Sequence, residues 1–92
     1  MAKRFNQGFT MVSNKVLQDP NLTLREKGMY AFLSSYADNL SGTTTVGVYK
    51  IAAECDVTVA TVKRTLRILQ DKGFIKREQR GRGSTSKTFI LK

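Results

Sequence analysis

Apolar and polar positions alternate along this chain with two different periods. Between residues 22 and 37 the set Leu24, Met29, Phe32, Leu33 and Tyr36 recurs at the spacing of one helix face. Thr23-Leu24-Arg25-Glu26 opens that segment as a capping box: Thr23 can accept from the Glu26 amide, and Glu26 can reach back to the cap. The helix is expected to end near residues 36–38. Gly28 inside it costs about 1 kcal/mol against alanine, and a close approach by a neighbouring element is the expected reason.

Helical spacing returns between residues 48 and 73. Residues 49–55 predict a short helix, Asp56-Val57 a turn, and Thr58 an N-cap whose hydroxyl accepts the Thr61 amide. A second helix is expected from Val59 to residue 71 or 72. Val62, Leu66 and Leu69 lie at i, i+4 and i+7 with Ile68 beside them, whereas Lys63, Arg64 and Arg67 fall mostly off that stripe. Gly73 is a natural left-handed residue after the helix, and Lys72 suits its negative end.

The period then changes to two. Residues 74–80 and 87–91 read as extended runs around Gly81-Arg82-Gly83-Ser84-Thr85-Ser86, which predicts a β-hairpin with a flexible tip. Phe89 and Leu91 alternate against Thr88 and Ile90, and Phe74 and Phe89 are expected to be buried. A two-stranded hairpin is marginal alone, so it must pack on the helices. Upstream, Phe9 and Met11 predict a short strand over residues 9–13, and Asp19-Pro20-Asn21 predicts a turn. Residues 39–45 read as a polar loop, with a few extended residues over 44–48, and residues 1–8 as loose. The fold class is therefore α+β: a three-helix core, a C-terminal two-stranded hairpin and a short N-terminal strand, in a single domain over residues 1–92.

Composition narrows the function. At 92 residues the chain holds one modest core and no deep cleft between domains. No apolar run approaches 18 residues, and the start Met1-Ala2-Lys3-Arg4-Phe5 has no apolar signal region, so a cytoplasmic protein is expected. Histidine is absent and Cys55 is the one cysteine, which removes imidazole catalysis, internal disulfides and thiolate zinc sites. Glu54 and Asp56 have no partner base or metal ligand, so no enzyme, cofactor or metal is expected. Cys55 reads as a small buried apolar residue, and Tyr30, Phe32 and Tyr36 as core rather than a base-stacking platform. Thr61 and Thr65 are either helix-surface residues or phosphate-contacting hydroxyls, and Tyr49 either packs or donates to a phosphate.

Charge points to the partner. The net charge is +9, with about +2 on residues 1–49 and +7 on residues 50–92. So one-sided a distribution fits a polyanion: nucleic acid, an anionic membrane or an acidic protein.

The run from Ile51 to Leu66 carries the clearest motif. Ala52 is small where two helices must cross, Asp56 tolerates a left-handed turn, and Ile51, Val57, Val62 and Leu66 can hold the crossing angle. The run resembles the helix-turn-helix pattern, and the basic hairpin after it makes the whole resemble a winged helix-turn-helix DNA-binding domain. The stretch Leu24, Glu26, Tyr30, Phe32-Leu33-Ser34-Ser35-Tyr36-Ala37 and the later Gly73-Phe74-Ile75 extend the resemblance to the N-terminal domain of plasmid and phage replication proteins. Such initiators continue beyond the wing and this sequence ends there, so a stand-alone accessory or regulatory binder of a mobile element is expected.

The resemblance implies double-stranded DNA as partner, with the second helix in the major groove. The implied DNA-binding residues are Thr58, Val59, Ala60, Thr61, Lys63, Arg64 and Arg67 on the helix, and Lys76, Arg77, Arg80, Arg82 and Lys87 on the wing. Arg64 is the candidate for bidentate reading of guanine, and Val59 or Ala60 for a thymine methyl. Lys63, Arg67, Lys76, Arg77 and Lys87 would take phosphates, and Arg80 and Arg82 the minor groove. Because the helix starts with small side chains, recognition dominated by the wing is a standing alternative. A homodimer on repeated half-sites, within a larger nucleoprotein complex, is also expected, with the N-terminal strand and first helix as contact surfaces. An interaction module docking on an acidic protein is the competing function.

Overall fold

In the computed structural model, which describes residues 9–37, 41–78 and 87–91, the predicted helices form at the predicted places. The elements are α1 (Asn14–Leu17), α2 (Leu24–Ser35), β1 (Thr43–Thr44), α3 (Val48–Cys55), α4 (Val59–Asp71), β2 (Ile75–Glu78) and β3 (Lys87–Ile90). Helices α2, α3 and α4 make the three-helix core, and a small antiparallel sheet closes one side.

Local chemistry sets the helix ends. Thr23 Oγ1 accepts the Glu26 N–H at 3.2 Å, and Glu26 Oε1 accepts the Thr23 N–H at 3.1 Å, completing the capping box of α2. Asp56 closes α3 in the left-handed region (φ 55°), and the Val57 N–H reaches back to the Ala52 carbonyl at 3.1 Å. Thr58 caps α4 through the Thr61 N–H at 3.1 Å. At the far end Gly73 is left-handed (φ 83°), with Gly73 N–H on the Gln70 carbonyl and Phe74 N–H on the Leu69 carbonyl, a complete Schellman motif. Leu69 and Phe74, both buried, supply its apolar contact.

The core gathers one face from each helix. Met29, Tyr30 and Leu33 come from α2, Ile51 and Ala52 from α3, and Val62, Leu66 and Leu69 from α4. Phe74 and Ile75 extend it beneath the sheet, with the Tyr30 and Phe74 rings edge to face at 6.2 Å. Ala52 is buried at the α3–α4 crossing, as its size predicts.

A clamp ties the start of α2 to the end of α4. Lys72 Nζ donates to Glu26 Oε1 at 3.1 Å and also to the Asn21 carbonyl. Burial alone would raise the Glu26 pKa. The Thr23 N–H and the Lys72 ammonium outweigh it and hold the carboxyl below its usual range.

Several expectations are corrected. Residues 9–13 form no strand: Phe9 and Met11 are fully exposed, and Ser13 instead caps the one-turn helix α1, whose Val16 is buried. The sheet has three strands in the order β1-β3-β2 rather than two, because Thr43 and Thr44 pair with Phe89 and Thr88. The core-facing side of β3 is the buried Thr88 and the half-buried Ile90, which packs against the core, while Phe89 is half-buried on the other face and Leu91 is exposed. That facing follows from the register, which places Ile90 opposite Ile75 over the helices. Leu24 lies outside the core. Cys55 is exposed at the end of α3, and Val57 is exposed in the turn.

Gly28 also departs from expectation. A Cβ built there meets nothing within 4 Å, so no neighbour requires the glycine. Gly28→Ala is therefore expected to stabilise the domain by about 0.5–1 kcal/mol, by lowering unfolded-chain entropy and raising helix propensity. A thermal melt should show a rise of several degrees; a fall would mean that the folded α2 does not tolerate the added methyl.

Candidate nucleic-acid interface

Helix α4 is placed by its buried stripe. With Val62, Leu66 and Leu69 turned inward, the helix must present Lys63, Arg64 and Arg67 outward, and all three are exposed. None of them forms an ion pair with a described carboxylate. Their charge is thus available to an external anion.

The start of α4 is more occupied. Thr58 is exposed, but its hydroxyl accepts the Thr61 N–H and donates to Thr61 Oγ1 at 2.9 Å. Val59 packs partly against the core, leaving Ala60 as the exposed apolar side chain at the helix start. Thr65 is buried and donates to the Thr61 carbonyl at 2.8 Å, which makes it a structural residue rather than a surface hydroxyl.

The sheet divides its cations between two faces. Lys76 and Lys87 lie on the outer face. Lys76 Nζ is 3.9 Å from Glu78, and Lys87 Nζ stands 5.4 Å from the Phe89 ring centre. Arg77 lies on the inner face, half-buried, with Nε donating to Thr88 Oγ1 at 3.1 Å. Its backbone N–H donates to Gln70 Oε1 of α4 at 2.8 Å, which joins the edge of β2 to the helix. Arg80 and Arg82 fall outside the described residues.

A polar junction not anticipated from the sequence joins the end of α2 to α3. Tyr36 donates to Glu54 Oε1 at 2.7 Å, and this bond raises the Tyr36 pKa above its usual value. Lys50 reaches both partners, at 3.9 Å from Glu54 and 5.1 Å from the Tyr36 ring centre. Desolvation, helped by Glu54, pushes the Cys55 thiol up, away from the thiolate that a nucleophile needs. Among the described residues no cluster of His, Cys, Asp and Glu could hold a metal, and no helix is long and apolar enough to cross a membrane.

Comparison with known proteins identifies the fold and the family. Among solved structures, one titled "Structure of Rep-DNA complex" superposes with a TM-score of 0.69 at 16% identity, covering 94% of this chain and 76% of that one. A second, "N-Terminal domain of DNA binding protein", gives 0.68 at 18% identity with the same coverage. At such identities the likeness is one of fold. No curated protein sequence matches the chain. Residues 37–88, from the end of α2 through α3 and α4 into β3, match the DeoR-like helix-turn-helix domain. The chain belongs to the DeoR-like helix-turn-helix family and is a DNA-binding domain of winged helix-turn-helix architecture.

Proposed function

We propose that this domain binds duplex DNA sequence-specifically, as an accessory or regulatory protein of a plasmid, phage or other mobile element. The observation that carries the reading is the outward row of α4: Lys63, Arg64 and Arg67 exposed together with no described carboxylate to neutralise them. Helix α4 enters the major groove. Arg64 reads a base edge there, while Lys63 and Arg67 take phosphates. Thr58 and Thr61 approach the backbone at the helix start, and Val59 or Ala60, of which Ala60 is the more exposed, meets a thymine methyl. Lys76 and Lys87, with Arg80 and Arg82 from the sequence between β2 and β3, carry the contact across the adjacent groove, and Arg77 takes a phosphate. The family membership supports this reading, and the fold shared with a Rep protein in complex with DNA supports an origin-binding or replication-linked role. Transcription control, partition and transfer-origin binding use the same contacts. Two copies on repeated half-sites would lengthen the recognised site.

Selection from a randomised duplex library tests the proposal. An enriched motif is expected, and its repeat spacing reports how many copies bind. Arg64→Ala should relax preference at a single base pair, a loss of about 1–3 kcal/mol of discrimination. No enrichment with the native chain would overturn specific duplex recognition and turn attention to an acidic protein partner.

A further inference from the structure

Arg77 differs from the exposed cations of α4. It sits at the seam between β2 and α4, on the inner face of the sheet opposite Thr88. Thr88 is 1% exposed, and its hydroxyl holds Arg77 Nε at 3.1 Å. The Gln70 bond to the Arg77 N–H fixes the strand at the same residue. Backbone and side chain of Arg77 are therefore held from two different elements.

That fixed guanidinium has no counter-charge among the described residues. Its surroundings are partly desolvated, which lowers its pKa, yet an arginine stays charged in a protein. A charge so placed is ordinarily matched by a carboxylate. Glu26 is engaged by Lys72, Glu54 by Lys50, and Glu78 by Lys76 on the opposite face of β2. Arg77 forms no ion pair with any described residue, and the segment 79–86 contains no Asp or Glu. With Nε committed to Thr88, the two Nη groups form a planar fork suited to one bidentate oxyanion.

The position of that fork says which oxyanion. Lys63, Arg67 and Gln70 stand at i, i+4 and i+7 on one face of α4, a row about 10 Å long. Gln70 ends the row and touches Arg77. Gln70 is uncharged, but its bond to the Arg77 N–H sets that residue of β2 beside the C-terminal end of the row.

We propose that Arg77 is a preformed backbone anchor, binding one phosphate of the DNA strand that follows the Lys63–Arg67 row, with Thr88 as its positioning residue. The inference rests on the duplex-binding reading above. It assigns Thr88, a buried residue of the third strand, to the interface that it does not itself touch. The partly desolvated, unmatched charge is a cost to the free protein that the phosphate relieves.

Fluorescence anisotropy of the full chain with its selected duplex, titrated from 50 to 300 mM KCl, tests this. Arg77→Met is expected to weaken binding about tenfold at 150 mM and to reduce the log–log salt slope by about 0.9, one phosphate fewer. Its melting temperature should change little, because removing a partly desolvated charge is offset by leaving the buried Thr88 hydroxyl without its donor. Thr88→Val keeps the shape but loses the acceptor, and should weaken binding several-fold; Thr88→Ser should restore it. Circular dichroism at the binding temperature verifies that each variant is folded. An Arg77→Met slope equal to the native one overturns the anchor while leaving the duplex reading intact. Thr88→Val binding like the native chain overturns the positioning role. A native chain without salt-steep binding overturns the duplex reading itself, and the anchor with it.

Discussion

Duplex affinity is expected to fall by about three to four orders of magnitude between 50 and 200 mM salt. The size follows from counterion release, since each neutralised phosphate adds about −0.9 to the log–log slope. Lys63, Arg67, Lys76, Arg77, Arg80, Arg82 and Lys87 are the cations assigned to the backbone or the grooves, so about six to eight phosphates and a slope near −5 to −7 are expected. The exposed row on α4 contributes most directly, because no described carboxylate competes for it. Lys76 contributes less, being 3.9 Å from Glu78. The check is a binding isotherm repeated at five or more salt concentrations. A slope shallower than about −2 would mean that the basic half is a solvated surface and that the duplex is not its partner.

Replacing Leu66 by alanine should remove a large part of the folding free energy. Leu66 is 2% exposed, midway along the α4 stripe between Val62 and Leu69, so its loss leaves a cavity that flanking helices cannot close. Such truncations cost about 2–5 kcal/mol, against a total of about 5–14 kcal/mol for a domain of this length. The melting temperature should drop by roughly 8–40 °C, given about 4–8 °C per kcal/mol at this size. DNA binding should fail as the population unfolds, because the same residue orients Lys63, Arg64 and Arg67. A drop of only a few degrees would show that α4 is held chiefly by its ends, through the Thr58 cap and the Lys72–Glu26 clamp.

The features legible in the sequence have determinants that lie within a few residues. The capping box at Thr23 and Glu26, the left-handed Asp56 and Gly73, the Thr58 cap and the i, i+4, i+7 stripe of α4 are local patterns that the chain writes directly. The helix-turn-helix was legible for the same reason, since two short helices and a turn need no distant partner to be recognised. The outward basic row of α4 followed from the inward stripe.

The features that depart from the sequence pattern share one physical origin. An alternating pattern over residues 9–13 resembles a strand, but a strand needs an edge to pair with, and Ser13 offers a helix cap instead. In β3 the alternation of Phe89 and Leu91 with Thr88 and Ile90 says only that two faces exist. The register with Ile75 and Arg77 decides which one is buried, and it selects Thr88 over Phe89. Gly28 suggests a close neighbour, and the packed helices place none there. Arg77 reads in the sequence as one basic residue among several. Its half-buried fork, its Thr88 acceptor and its Gln70 tie arise from three elements far apart in the chain. The sequence by itself therefore determined the helices, their caps, the helix-turn-helix and the sign of the charged half, because each depends on short-range spacing and composition. Only the tertiary structure decided the third strand, the facing of the sheet and the fixed setting of Arg77, because these depend on which distant groups meet.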